Sequence, residues 1–203
     1  MKVLITAFEP FGGQKVNSAL EVMKALPDCL GKLRILKQEL PTVFYKSIQT
    51  AWRAIEQSKP DVVISLGQAG GRSCISIERI AINIDDTEMA DNEGNKPIDR
   101  PIFEDGENAY FSTLPIKEMV EAIKAAKIPA EISNSAGTYV CNHLMYGILY
   151  KINKERLNIG AGFMHLPFIP EQVVEQPGRP SMSLNDIVRG VKAACRVLEK
   201  LYL

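Results

Sequence analysis

The sequence has 203 residues, with 24 lysines and arginines against 24 aspartates and glutamates, so its formal net charge is zero. A neutral chain has no electrostatic attraction for nucleic acid or for an anionic membrane, and we expect neither as a partner. The length fits one α/β domain over residues 1–203, which can bury a full hydrophobic core.

The amino terminus and the cysteines indicate where the protein resides. The first apolar run is too short for a secretory signal, and Glu9 follows it at once. No apolar stretch approaches the roughly 20 residues of a membrane helix. The four cysteines form no CxxC pair, which argues against a zinc site and against a disulfide framework. We therefore expect a soluble, cytoplasmic protein with reduced thiols.

Short apolar runs alternate with helical patterns along the chain. The patterns predict an open, twisted, mostly parallel sheet in a single-domain, three-layer α/β/α fold. The predicted strands cover residues 3–8, 33–40, 62–66, 132–133 and 159–165. The predicted helices cover residues 17–26, 42–58, 115–127, 140–153 and 184–201.

The segment from residue 75 to residue 111 departs from this alternation. Residues 75–86 read as one long strand-like stretch, and residues 85–100 are rich in Asp, Glu and Asn. This pattern predicts a β-hairpin-like excursion or a mobile flap.

Glu78 is the unusual acid of this segment. The isoleucines of this strand-like stretch stand at odd positions before Glu78 and at even positions after it. Glu78 falls in register with the second, even-numbered row of apolar residues. An acid in an apolar row needs a partner. Two alternatives are equally open: Glu78 forms a structural ion pair with Arg72 or Arg79, or it orients a catalytic imidazole.

The segments that follow the strands are the expected site, because open α/β sheets bind ligands outside the carboxyl ends of their strands. These segments are residues 9–17, 67–74, 134–141 and 165–170. The flat aromatic rings of Phe8 and Phe11, near the amides of Asn17 and Gln68, suit a flat and neutral ligand.

Cys141 is the preferred nucleophile among the four thiols. It is expected in the first turn of a helix, where free N–H groups lower the pKa of a thiol and can hold an oxyanion. Cys29, in the turn after a helix, and Cys195, inside the last helix, are typical structural cysteines. Cys74 lies in a loop and remains the rival nucleophile.

Only two histidines could serve Cys141 as a base. On a helix, His143 would point about 200° away from Cys141 around the axis, so the two cannot face each other. His165 ends a predicted strand and is the better partner.

Other functions compete with a cysteine hydrolase. The turns at residues 8–13 and 67–72 are rich in glycine and could hold phosphate or a nucleoside, but neither matches GxGxxG or GxxxxGK[ST]. A ligand-binding domain without catalysis is the second alternative.

Four sequence blocks resemble the pyroglutamyl peptidase I family, also called pyrrolidone carboxyl peptidase, over essentially the whole chain. The blocks are FEPFGG with Asn17, GQAGGR leading to ERIAIN, SNSAGTYVCNH, and GFMHLP. The resemblance implies a cysteine peptidase that removes N-terminal pyroglutamate from peptides through a thioester acyl-enzyme, without a metal or other cofactor.

The resemblance also implies a role for individual residues. Cys141 would be the nucleophile, His165 the general base and then acid, and Glu78 the group that orients the imidazole. The matching substrate-binding residues are Phe8, Phe11, Asn17, Gln68, Tyr139 and Val140. Tyr139 departs from the phenylalanine expected there, which changes one wall of the pocket. The resemblance and the apolar segment near Phe168 further suggest a homo-oligomer, a dimer or a tetramer.

Overall fold

The computed structural model describes residues 1–202 and the side chains of residues 1–201; Leu203, the end of the expected domain, lies outside the described residues. The strands are β1 (Lys2–Phe8), β2 (Cys29–Leu30), β3 (Leu33–Leu40), β4 (Val62–Gln68), β5 (Ile75–Glu78), β6 (Ile80–Ile82), β7 (Ala109–Phe111), β8 (Ala130–Ser133) and β9 (Gly160–Leu166). The helices are α1 (Ser18–Ala25), α2 (Lys46–Ser58), α3 (Ile116–Ala125), α4 (Val140–Lys154) and α5 (Leu184–Tyr202). None of these helices is both long enough and apolar enough to cross a membrane.

Seven strands form one mixed sheet in the order β2-β3-β1-β4-β9-β5-β8. Strands β3, β1, β4 and β9 are parallel to one another. β5 runs antiparallel to β9, and β8 is parallel to β5. The predicted α/β fold with a mostly parallel sheet is therefore confirmed, with β5 and β8 reversed as a pair.

The sheet has a hydrophobic layer on each face because successive apolar side chains of its buried strands point to opposite faces. In β1, Val3 and Ile5 face one cluster, which also contains the buried sides of α1, α3 and α5. Leu4 and Phe8 face the other cluster, which contains the buried sides of α2 and α4. Helices thus cover both faces, as the near-continuous apolar strands require.

The stretch from residue 75 to residue 86 is not one strand. β5 joins the main sheet, whereas β6 pairs with β7 in a separate two-stranded antiparallel sheet. The change in sheet coincides with the change in apolar phase next to Glu78. Residues 83–108, between β6 and β7, form the excursion.

Three local predictions need correction. α2 begins at Lys46 and not at residue 42, because Tyr45 has a φ of 60° and cannot continue a helix. Cys29 lies in β2 and not in a turn. The segment at residues 134–141 follows β8. The carboxyl end of β8 does not lie at the same edge of the sheet as those of β1, β4 and β9, because β8 runs in the opposite direction.

Candidate active site

The carboxyl ends of β4 and β9 form the floor of the candidate site. Gly67 in β4 is the register partner of His165 in β9. A side chain at Gly67 has no room, because a Cβ there would lie 2.6 Å from the ring of Phe163 and 3.0 Å from Cys141 Sγ. The glycine therefore lets the sulfur of Cys141 sit directly over the strand end that carries His165.

Cys141 reaches this point from the start of α4, where it is the second residue. The first hydrogen bond within the helix runs from His143 N–H to Tyr139 O at 3.1 Å. The N–H groups of Val140, Cys141 and Asn142 thus have no helical carbonyl to donate to. Free N–H groups at a helix start can bind an oxyanion.

The expected low pKa of the Cys141 thiol is wrong for this structure. Burial raises its pKa to about 12, the negative charge of Glu78 adds to the increase, and Arg72 opposes it. Removing a thiolate from water disfavours its charged form. In the free protein Cys141 is a neutral thiol that needs a base.

His165 is positioned by Glu78. His165 Nδ1 lies 2.7 Å from Glu78 Oε1, with the glutamate side chain completely buried and the imidazole 6% exposed. A carboxylate only accepts hydrogen bonds, so Nδ1 carries the proton and Nε2 is free to accept one. Burial lowers the pKa of His165 although Glu78 acts in the opposite direction.

Glu78 contacts both kinds of partner that its sequence position left open, an arginine and an imidazole. The same Oε1 accepts from His165 and from Arg72 Nη1, which is 2.8 Å away. Arg79 is engaged elsewhere, because its Nε donates to Asn134 Oδ1 at 2.7 Å. Burial alone would raise the pKa of Glu78, but the hydrogen bond from His165, with the charge of Arg72 nearby, brings it below its usual value.

The turn from Gly67 to Arg72 contains the glycines that resembled a phosphate cradle. Arg72 N–H donates to Ala69 O at 3.3 Å, which closes the turn. Gly71 has a φ of 98°, and a Cβ at Gly70 would lie 2.2 Å from the ring of Phe168. The glycines thus return the chain so that Arg72 reaches Glu78.

Aromatic rings stand beside the start of α4. The rings of Phe11 and Tyr139 are 6.1 Å apart, and Phe44 packs edge-on against Tyr139 at 5.6 Å. The hydroxyl group of Tyr139 donates to Ala90 O at 3.2 Å. Phe8 and Val140 are buried in the hydrophobic layer beneath these rings.

The two amides expected to bind substrate are engaged within the protein. Asn17 caps α1, where its Oδ1 accepts from Ala19 N–H at 3.0 Å and its Nδ2 donates to Glu9 O at 3.2 Å. Gln68 Oε1 accepts from Ser18 N–H at 2.9 Å, and its Nε2 donates to Gln14 at 2.9 Å. Each NH₂ group keeps one further hydrogen that these bonds do not use.

The loop of residues 85–100 forms one side of this region, and sequence reasoning missed the residues that fix it. Asp91 accepts from Phe44 N–H at 2.9 Å and from Asn95 Nδ2 at 2.8 Å. Asn92 donates to Glu9 Oε1 at 2.8 Å. The Asp-Asn-Glu-Gly-Asn run is a turn signal, but a sequence does not reveal which distant N–H groups an aspartate will accept.

The two other candidate residues lie apart from this arrangement. Cys74 is half-buried, and burial together with Glu131 raises its pKa. Both nitrogens of His143 are occupied, one by Asp85 at 2.7 Å and one by Tyr45 N–H at 2.8 Å.

Cavity size does not mark the site. A surface cavity of about 1130 Å³ lies at the amino ends of the central strands, next to Met1, Val62 and Gly160. Cys141 and His165 are at the other end of the same strands. Within residues 1–201, no group of three or more His, Cys, Asp and Glu side chains could hold a metal ion.

Comparisons with known proteins agree over the whole chain. A family model described as pyroglutamyl peptidase matches residues 1–200. A pyrrolidone-carboxylate peptidase of Thermosipho africanus is 58% identical over 202 residues, which cover 100% of this chain and 98% of that protein. A second, from Caldanaerobacter subterraneus, is 56% identical over 200 residues and 98% of both chains.

Solved structures show the same fold. Pyroglutamyl peptidase I of Bacillus amyloliquefaciens superposes with a TM-score of 0.92 at 46% identity, covering 95% of this chain and 94% of that chain. Pyrrolidone carboxyl peptidase of Pyrococcus furiosus superposes with a TM-score of 0.96 at 43% identity, covering 100% of both.

Proposed function

Because the chain belongs to the pyroglutamyl peptidase family, we propose that Cys141 attacks the carbonyl carbon of an N-terminal pyroglutamyl residue, with His165 and Glu78 as its partners. Removal of N-terminal pyroglutamate by a cysteine peptidase follows from the family itself. The single observation that carries the residue assignment is the 2.7 Å contact between Glu78 and His165 on the strand end beneath Cys141.

The first step is a proton transfer. Both Cys141 and His165 are neutral at rest, because burial raises the pKa of the thiol and lowers that of the imidazole. As the sulfur forms its bond to the carbonyl carbon, the thiol proton passes to His165 Nε2, which Glu78 leaves unprotonated by holding the proton on Nδ1. Glu78 also stabilises the imidazolium that results.

The second step breaks the peptide bond. The carbonyl oxygen becomes an oxyanion, and the free N–H groups of Val140, Cys141 and Asn142 are its proposed donors. When the C–N bond breaks, the imidazolium gives its proton to the departing amine. Water then adds to the thioester with His165 again as base, which releases pyroglutamate and restores the thiol.

Recognition of the lactam ring is assigned to the aromatic rings beside α4 and to two amides. Phe11 and Tyr139 would contact the faces of the ring, over the layer formed by Phe8 and Val140. The unused amide hydrogens of Asn17 and Gln68 are donors for the lactam oxygen. Open-chain glutamate would bring a charged ammonium group and a carboxylate without partners, so the pocket should reject it.

Arg72 is assigned a supporting role. Its guanidinium shares Glu78 Oε1 with His165 at 2.8 Å and compensates the buried negative charge. Without this compensation the charge of Glu78 would oppose thiolate formation at Cys141. No metal or organic cofactor enters these steps.

The remaining features of the proposal concern the whole chain. We propose that the protein is one α/β domain that acts in the cytoplasm on peptides with N-terminal pyroglutamate. We also propose that it is a homo-oligomer. Light scattering of the purified protein tests the last point, and a monomer mass would contradict it.

The assignment of the nucleophile is tested with two cysteine variants. We expect Cys141→Ala to lose all release of fluorophore from a pyroglutamyl-coumarylamide, because Cys141 carries the thiol next to Gly67, the register partner of His165. Cys74→Ala is the matched control, since Cys74 is also half-buried and carries a raised pKa, and it should keep full activity. Iodoacetamide should abolish activity in the control. Turnover by Cys141→Ala would contradict the assignment.

A further inference from the structure

A second imidazole–carboxylate pair is buried in the protein, and the proposed reaction does not use it. His143 Nδ1 lies 2.7 Å from Asp85 Oδ2, and both side chains are completely buried. His143 Nε2 lies 2.8 Å from the backbone nitrogen of Tyr45. A backbone N–H can only donate, so Nε2 is unprotonated and Nδ1 carries the proton that Asp85 accepts. Two partners thus hold a neutral imidazole in one tautomer.

This pair joins three separate segments around the start of α4. His143 belongs to the first turn of α4, two residues after Cys141. Asp85 closes the base of the loop at residues 85–100 through two backbone hydrogen bonds with Arg100, at 2.7 and 3.0 Å. Tyr45 is the last residue before α2. The pair therefore fixes the loop and the start of α2 relative to the nucleophile's helix.

The segment held at Tyr45 is strained. Tyr45 has φ 60° and ψ −46°, and Lys46 N–H donates to Phe44 O at 2.6 Å, which makes a γ-turn. A residue other than glycine persists in this conformation only where its surroundings hold it. His143 stabilises this conformation, because its Nε2 accepts a hydrogen bond from the N–H of Tyr45 at the centre of the turn.

The strained turn places the ring of Phe44. This ring packs edge-on against His143 at 5.3 Å and against Tyr139 at 5.6 Å. Tyr139 in turn packs against Phe11 at 6.1 Å. Asp91 also holds Phe44, through its N–H at 2.9 Å, so a relaxed turn would shift the Phe44 ring without releasing it and would weaken its edge contact with Tyr139.

We propose that His143 and Asp85 are positioning residues for substrate binding, which act through Phe44 to hold Tyr139 at the lactam ring. This inference rests on the proposed function, in which Tyr139 and Phe11 form walls of the pocket. Neither His143 nor Asp85 touches the reacting atoms. Their loss should therefore weaken the binding of substrate and leave the reactivity of the Cys141 thiol unchanged.

The test is a comparison of kinetic constants in His143→Leu, which removes both hydrogen bonds at similar volume. We expect KM for a pyroglutamyl-coumarylamide to rise about tenfold, the size of coupling found between neighbouring residues. The kcat and the rate of alkylation of Cys141 by iodoacetamide should change by less than about threefold. His143→Gln should restore KM, because its amide can accept from Tyr45 and donate to Asp85.

A double-mutant cycle that combines His143→Leu with Phe44→Leu tests whether His143 acts through Phe44. If His143 acts through Phe44, the two changes in KM will be less than additive. Additive effects, or an unchanged KM with a lower melting temperature, would overturn the inference. Should His143→Leu not fold, the cycle is run with His143→Asn, which is too short to reach both partners. An unchanged KM beside an inactive Cys141→Ala would overturn this inference alone, whereas an active Cys141→Ala would overturn the proposed function.

Discussion

At the residue scale, one oxygen atom of Glu78 links the charges of the site. Oε1 accepts from Arg72 and from His165, so a cation and an imidazole share one buried carboxylate. Glu78 and Arg72 are the charged groups that shift the pKa of His165. The protonation of His165 therefore depends on Arg72, although the guanidinium donates to Glu78 and to Ser135 O and not to the imidazole.

This link predicts a shift in the pH dependence of activity in Arg72→Gln. Arg72 lowers the pKa of His165, so removing its positive charge should raise that pKa. His165 would then be protonated, and unable to act as a base, at a higher pH than in the native protein. The acid limb of kcat/KM should therefore move to higher pH.

Arg72→Lys is the control, because it keeps a positive charge at the same place. Its acid limb should stay near that of the native protein. An acid limb that moves to lower pH in Arg72→Gln would contradict this electrostatic role.

At the element scale, the close approach of α2 and α4 determines where the nucleophile's helix lies. Gly147 in α4 faces Ile48 in α2, and a Cβ at Gly147 would lie 2.1 Å from Ile48 Cδ1. The absence of a side chain thus sets the distance between the two helices. The γ-turn at Tyr45 sits at one end of the same interface.

Gly147→Ala should destabilise the protein despite the better helix propensity of alanine. Propensity favours alanine by about 1 kcal/mol, whereas overpacking in a filled core costs about 1–3 kcal/mol. We expect a lower melting temperature in calorimetry. Adding Ile48→Val removes the Cδ1 atom but keeps Cγ1, which would lie 2.6 Å from the new Cβ, and should recover only part of the loss. A higher melting temperature for Gly147→Ala alone would show that the helices can move apart freely.

The elements also show how far the sequence could be interpreted. The strands β1, β4 and β9 were predictable because each is a short apolar run, and β3 because its leucines and isoleucine recur among polar residues. The reversed direction of β5 and β8 was not, because apolar periodicity is the same in either direction. The late start of α2 could not be predicted either. The strain at Tyr45 is compensated by His143, which is 98 residues away in sequence.

The same distinction holds for the candidate site. Cys141, His165 and Glu78 could be singled out from their positions at element ends and from the phase of the apolar row. The support from Phe44 and the shared oxygen of Glu78 could not, because both depend on contacts between distant segments. The pKa of Cys141 was predicted in the wrong direction because a sequence does not show how deeply a thiol is buried.

At the scale of the whole molecule, three buried or partly buried groups respond to acid in the same way. Burial lowers the pKa of His165. Hydrogen bonds bring the pKa values of Glu78 and Asp91 below their usual range against the opposing effect of burial. In each case the unfolded chain binds a proton at a higher pH than the folded protein does. Acid therefore favours unfolding at all three positions.

The expected result is a melting temperature that falls as the pH decreases. The contribution of His165 is fully present above its unfolded pKa of about 6.5 and declines below it. Those of Glu78 and Asp91 decline below about pH 4. In Glu78→Gln the decrease below pH 4 should be shallower, because that carboxylate no longer titrates. Glu121→Gln, at an exposed position, is the control and should follow the native curve. A Glu78→Gln curve parallel to the native one would contradict this account.

The unequal hydrogen bonding of Glu78 has a spectroscopic consequence. Oε1 accepts from two donors, whereas Oε2 is buried and, among the described residues, has no hydrogen-bond partner. The two C–O bonds should therefore differ in length, and the symmetric and antisymmetric carboxylate stretches should lie further apart than those of acids in water. An infrared difference spectrum between the native protein and Glu78→Gln would isolate this band. Its position could then report the protonation of His165 during turnover without any added label.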